Sequence, residues 1–354
     1  MARLAQLKLA MTASIFLAAL IFVGFLLIIL VVIQEFVTPI GLDYWVLLIF
    51  SLPTLFILFQ YLIGPVMVRL STHLQYIQPG QNPWLEQTVK EIADKSGIPP
   101  PRIAIVPDNT PNAFVFGRTI HSATLAVHQG LLKNLNEDEI KGVIGHELGH
   151  LKHKDYAVMT VLSALPLIAY LVARGTWTTA FLSGRSSNRK NEGDVGAALF
   201  IIAILSYVVY IISLLIVMRL SRLREHYADA YSAYITGNPY SLESALAKIT
   251  YGLSLSPKAP SGVRAFYIGD PAQAKQEIAE IMDKKDEYDL NHDGVLDERE
   301  LELAMEKEAK STWKTINSWF STHPPTFRRI MLLKEIDQEM QTGKYTADRM
   351  YTHV

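Results

Sequence analysis

The sequence predicts an α+β chain, mostly α-helical, mounted on about four membrane-spanning segments. Three observations predict this class. Four long apolar runs punctuate the 354 residues. Half of the residues are hydrophobic and mean hydropathy is positive, more apolar surface than a water-soluble protein of this size hides. The stretches between the runs have soluble composition, with helix-cap signals and short alternating segments that read as strands. Formal net charge is only −1, so there is no basic field to attract nucleic acid. With no cysteine there is neither a disulfide framework nor a thiolate metal site, and any metal must be held by His and carboxylate.

The first run, Leu9 to Ile33, follows Arg3 and Lys8 and is long enough to cross a hydrocarbon core. It is too long for the apolar core of a cleaved signal peptide and lacks a small-residue cleavage site. The second, Tyr44 to Val68, contains Pro53 and Pro65, which membrane helices tolerate. The two form an N-terminal hairpin, residues 1–69. The intervening loop, Phe36 to Asp43, carries no Lys or Arg, so the positive-inside rule places it outside and the chain after Arg69 in the cytoplasm.

Residues 70–155 read as the first part of a soluble domain. Asn82-Pro83 caps a helix that Gly97 ends. Arg102 to Val106 and Ala113 to Val127 suggest a small sheet with a turn near Thr119 to Ser122. Asn136 with Glu139 three residues on forms a capping box and opens a helix through His150. A second hairpin, residues 156–218, follows: the runs Tyr156 to Ala173 and Val195 to Met218. The first is short and holds Pro166, so a re-entrant helix is the alternative to a full span. Their connecting loop carries Arg174, Arg185, Arg189 and Lys190, in conflict with an external location. Residues 219–354 return to soluble composition, with helices expected over Ser221 to Ile235, Pro271 to Tyr288 and Asp297 to Lys310.

The chemistry is announced by His146-Glu147-Leu148-Gly149-His150. Residues four apart share a helix face, so two imidazoles can meet one metal with Glu147 beside them. Zinc with three protein ligands keeps an open position for water, which an adjacent carboxylate can deprotonate. Metzincin spacing would need Gly at 153 and His at 156; His153 and Tyr156 stand there instead. The best third ligand is Glu225, with Asp229 four residues on, so that one carboxylate ligates and the other orients a ligand histidine. Asp155 as the third ligand is the alternative. His153 and His226 read as surface or supporting residues.

Four motifs in this order carry a resemblance: Asn112-Ala113-Phe114, His146-Glu-Leu-Gly-His150, Glu225-x-x-x-Asp229 and His323-Pro-Pro-x-x-x-Arg329. The chain resembles the HtpX-type integral-membrane zinc metallopeptidases and, more distantly, the CAAX prenyl endopeptidases. The resemblance implies a gluzincin-like metallopeptidase domain, with zinc ligands His146, His150 and Glu225, general base Glu147, and Asp229 behind the ligands. It implies that His323 and Arg329 stabilise the oxyanion, a role suited to a donor or cation near developing charge. His323 shaping a turn into the last helix is the alternative. Asn112 would belong to the region that meets the substrate, and the strand Ser122 to His128 would be the edge that receives an extended peptide.

One stretch, about 257–310, is longer and more acidic than that resemblance requires. Within it Asp289-x-Asn291-x-Asp293-Gly294-Val295-x-Asp297-x-x-Glu300 fits every position of the calcium-loop pattern. The sequence therefore predicts a multi-pass cell-membrane zinc endopeptidase with its catalytic domain in the cytoplasm and a ligand set for one Ca2+. Its substrates would be misfolded or membrane proteins in quality control. The alternatives are processing of prenylated C-termini and a catalytically silent, calcium-responsive membrane adaptor; the intact Glu147 argues against the latter.

Overall fold

The computed structural model describes residues 2–36, 42–183, 192–255, 267–292, 296, 298–308, 321, 323–347 and 349–351. The chain divides into two compact units, one mainly Gly64–Ala157 with Ser221–Val354, the other Ala5–Ile63 with Val158–Leu220.

The second unit is built from four helices: α1 (Ala2–Phe36), α2 (Leu42–Thr72), α6 (Asp155–Ser183) and α7 (Glu192–Thr236). All four are long and apolar enough to cross a membrane. Phe16, Leu20, Leu58, Phe59, Phe181 and Ile204 are exposed on them, as suits side chains that face lipid. The expected short third run is a 29-residue helix with Pro166 inside it, and its stretch Val158–Phe181 is long and apolar enough to cross a membrane. Arg174 lies within that helix, not in the connecting loop. The expected separate helix over Ser221 to Ile235 is the continuation of α7, a single helix of 45 residues. No proline and no glycine after Gly196 interrupts it.

The first unit holds a four-stranded sheet of β1 (Gln75–Tyr76), β2 (Arg102–Val106), β3 (Ala113–Phe116) and β4 (Thr124–His128), in the order β1-β2-β4-β3. β4 pairs parallel with β2 and antiparallel with β3. It is buried at every position. The expectation that Ser122 to His128 forms the receiving edge is therefore corrected: both sides of β4 are occupied, and β3 is the edge.

Helix α3 (Pro83–Ser96) is capped by the Asn82 side chain and ends at Gly97 in the left-handed region. After α4 (Gln129–Asn134), α5 (Glu137–Lys152) opens with the reciprocal capping box of Asn136 and Glu139. Its glycines let two helices approach closely. A Cβ at Gly145 would lie 2.9 Å from Ser232 Oγ, and one at Gly149 3.2 Å from Tyr231 Cδ1, so α7 can lie against α5. Helix α8 (Pro239–Leu255), which the sequence reading did not single out, packs behind α5 and is mostly buried. α9 (Pro271–Asp283), α10 (Lys285–Tyr288) and α11 (Glu298–Glu308) surround the start of α12 (Thr326–Gln341). Ile278, Ile281, Tyr288, Met305, Phe327 and Ile330 form their shared apolar core.

Candidate active site

Helix α5 presents His146, Glu147 and His150, and α7 presents Glu225. The Nε2 atoms of the two histidines stand 3.2 Å apart. Glu225 faces both, Oε2 at 3.5 Å from His146 Nε2 and Oε1 at 3.5 Å from His150 Nε2. One ligand atom from each residue lies within 4.8 Å of the others.

The supporting partners decide the protonation of this cluster. His146 Nδ1 is 2.9 Å from Asp229 Oδ1, and His150 Nδ1 is 2.6 Å from Asp155 Oδ2. Ionised carboxylates only accept, so each Nδ1 donates and each Nε2 is turned toward the cluster, where a metal would take its lone pair. Glu225 Oε2 is buried without a hydrogen-bond partner among the described residues. Two imidazole nitrogens and a carboxylate thus converge on one point. That donor set fits a divalent cation and fits little else.

Glu147 is buried, and its Oε2 accepts from the Val115 backbone N–H of edge strand β3 at 3.0 Å. Burial raises the pKa of its carboxyl above the usual carboxylate value, which strengthens it as a base. His323 is also buried; burial lowers its pKa, although Glu225 pulls the other way. It lies just before Pro324-Pro325, where α12 begins.

Arg329 stands beside the cluster and is buried. Its Nε and Nη2 meet the two oxygens of Asp229 at 2.9 and 2.7 Å, and its Nη1 donates to the Ile268 carbonyl. The guanidinium thus holds Asp229 and also borders the cluster, its Nη1 3.5 Å from Glu225 Oε2. Asn112 supports the same region. It precedes β3, is wholly buried, and its Oδ1 accepts from Ile268 N at 3.0 Å, so it fixes the segment that Arg329 also grips.

Asp155 stands outside the cluster of His146, His150 and Glu225. Lys154, at φ 59°, turns the chain between α5 and α6 and brings the Asp155 carboxylate to Nδ1 of His150, the nitrogen opposite the cluster. Arg224 Nη2 holds the same carboxylate oxygen at 2.8 Å. His153 caps α5 and, half-buried, pairs with the Tyr351 hydroxyl at 2.9 Å among Tyr227 and Tyr231. His226 lies outside the three-ligand cluster. Sequence reasoning missed Arg224, Val115 and Ile268; of these only Arg224, next to Glu225, carried a local signal.

In the acidic loop, Asp289 and Glu300 are buried. Glu300 Oε1 accepts from Leu290 N at 2.8 Å and Asn291 N at 3.2 Å. Asp293, Val295 and Asp297 lie outside the described residues.

The sequence pattern of peptidase family M48 matches residues 79–337, well over half of the chain. The chain belongs to peptidase family M48. This M48 chain is 37% identical over 254 residues to a protease HtpX homolog of Methanothermobacter thermautotrophicus, covering 72% of this chain and 90% of that protein. It is 36% identical over 259 residues to the protease HtpX homolog of Thermococcus kodakarensis, covering 73% and 75%. The crystal structure of S. mikatae Ste24p shares the fold, with a TM-score of 0.51 at 16% identity over 93% of this chain and 67% of that one. With its four apolar helices, the M48 chain is a multi-pass membrane metallopeptidase.

Proposed function

We propose that this M48 protein is a zinc endopeptidase that cleaves membrane or membrane-proximal proteins, in quality control of misfolded membrane proteins. One observation carries the zinc reading: His146 Nε2, His150 Nε2 and the Glu225 carboxylate converge as acceptors while each Nδ1 is held by an aspartate. Zinc held by such a set supplies Lewis acidity and a water acidic enough to attack near neutral pH. Glu147 takes the proton of the attacking water and returns it to the leaving amine. His323, neutral by burial, donates to the developing oxyanion. An extended peptide pairs with the open edge of β3, which reads backbone more than side chains and favours loose specificity.

The catalytic domain, residues 70–155 and 219–354 interrupted by the hairpin 156–218, faces the cytoplasm. The loop after the first span, which carries no Lys or Arg, supports this orientation. We further propose that residues 289–300 bind one calcium ion. The support is Glu300, whose buried carboxylate at position twelve already reaches back to the start of the loop, where a bidentate glutamate closes such sites. Metal analysis of the purified full chain, joined to a proteolysis assay with and without a chelator, tests the enzymatic reading. One zinc per chain and chelator-sensitive cleavage are expected; cleavage without zinc overturns it.

A further inference from the structure

Each of the two histidines on α5 is backed by a carboxylate, and each carboxylate by a buried arginine. His146, Asp229 and Arg329 form the first such chain. His150, Asp155 and Arg224 form the second, with Asp155 Oδ2 taking both the His150 Nδ1 donor at 2.6 Å and Arg224 Nη2 at 2.8 Å. We propose that Asp155 and Arg224 are positioning residues for His150 and for the neighbouring ligand Glu225, a proposal that rests on the zinc reading above.

Three observations carry it. The first is where the pair sits: Asp155 lies just beyond the turn that ends α5, and Arg224 directly precedes Glu225 on α7. One ion pair therefore ties the segment beyond His150 to the residue beside the third ligand, and so sets how far apart two ligands stand. The second is burial. Asp155 and Arg224 are 3% and 6% exposed, and Asp155 Oδ1 and Arg224 Nε and Nη1 are buried without hydrogen-bond partners among the described residues. Desolvation offsets much of what a buried ion pair gains, and unsatisfied atoms add to the deficit. Stability alone does not account for this arrangement, whereas orientation of an imidazole does. The third is the unequal exposure of the ligands. The His150 side chain is 19% exposed against 1% for His146, so packing that locks the His146 ring is incomplete around His150. Its tether to Asp155 then fixes both the ring plane and the tautomer that leaves Nε2 free for metal.

The test uses the full chain in detergent, stripped of metal. Zinc affinity is measured by competition with a chromogenic chelator and Tm by thermal unfolding of the zinc-free protein. The variants are Asp155→Asn, Arg224→Met and the double variant, with wild type and Glu225→Ala as references. Asp155→Asn is expected to weaken zinc binding about 10- to 100-fold. Arg224→Met is expected to weaken it less. The double variant leaves no buried arginine unpaired, so its Tm returns toward that of wild type while its zinc affinity stays low. Wild-type zinc affinity in the double variant, or affinity that recovers together with Tm, overturns the positioning role. A wild type that binds zinc no better than Glu225→Ala overturns the zinc reading and this proposal with it.

Discussion

The Glu147 carboxylate accepts a hydrogen bond from the Val115 N–H at 3.0 Å, which joins the catalytic helix directly to the edge strand. The contact places the base beside the strand where a peptide would pair. Glu147→Gln keeps an oxygen for Val115 and leaves all three ligands in place, but it cannot accept a proton. Zinc content is expected to stay at the wild-type level while cleavage falls by about 100- to 10,000-fold. Undiminished cleavage in this variant would sink the mechanism.

Val115 is the residue through which the edge of β3 can be tested without disturbing the sheet. Its N–H points away from β4, toward Glu147, and in an edge strand proline is tolerated at such a position. Val115→Pro is expected to keep zinc and fold while kcat/KM falls several-fold, the effect of removing a hydrogen bond worth about 1 kcal/mol. An unchanged kcat/KM would show that the hydrogen bond from Val115 does not help to place Glu147.

Glu225 and Asp229 are four residues apart on α7 but stand at different distances from the metal position. Glu225→Ala is expected to abolish most zinc binding, and Asp229→Ala to weaken it less. Arg329→Met leaves the Asp229 carboxylate buried without its cation, at a cost of about 3–5 kcal/mol, visible as a lower Tm. Full zinc occupancy in Glu225→Ala would assign the third ligand elsewhere.

The natural absence of cysteine makes orientation directly measurable, since single introduced thiols have no background. Asp43→Cys is expected to react with an impermeant maleimide from outside intact cells. Lys90→Cys, on exposed Lys90 of α3, is expected to react only after permeabilisation. The reverse pattern would place the catalytic domain outside.

For the loop 289–300, calorimetric titration of the full chain with calcium is expected to show one site in the wild type and none, or a much weaker one, in Glu300→Gln. Equal heats in both proteins would reduce the loop to an acidic turn.

Much of the site was legible because its signals are local. The His146–His150 spacing follows from 3.6 residues per turn, and the Asn82, Gly97 and Asn136–Glu139 signals depend on dihedrals and hydrogen bonds within a few residues. The four apolar helices were legible because lipid demands a fixed length of apolar chain. What tertiary structure alone decided was which distant groups meet. The order β1-β2-β4-β3 made β3 the edge, although both strands alternate similarly in sequence. The tertiary structure brought Arg329 to Asp229, 100 residues away, and Arg224 to Asp155. Periodicity and capping bear on the conformation of a segment; the pairing of buried charges depends on how segments cross, and no local pattern encodes it.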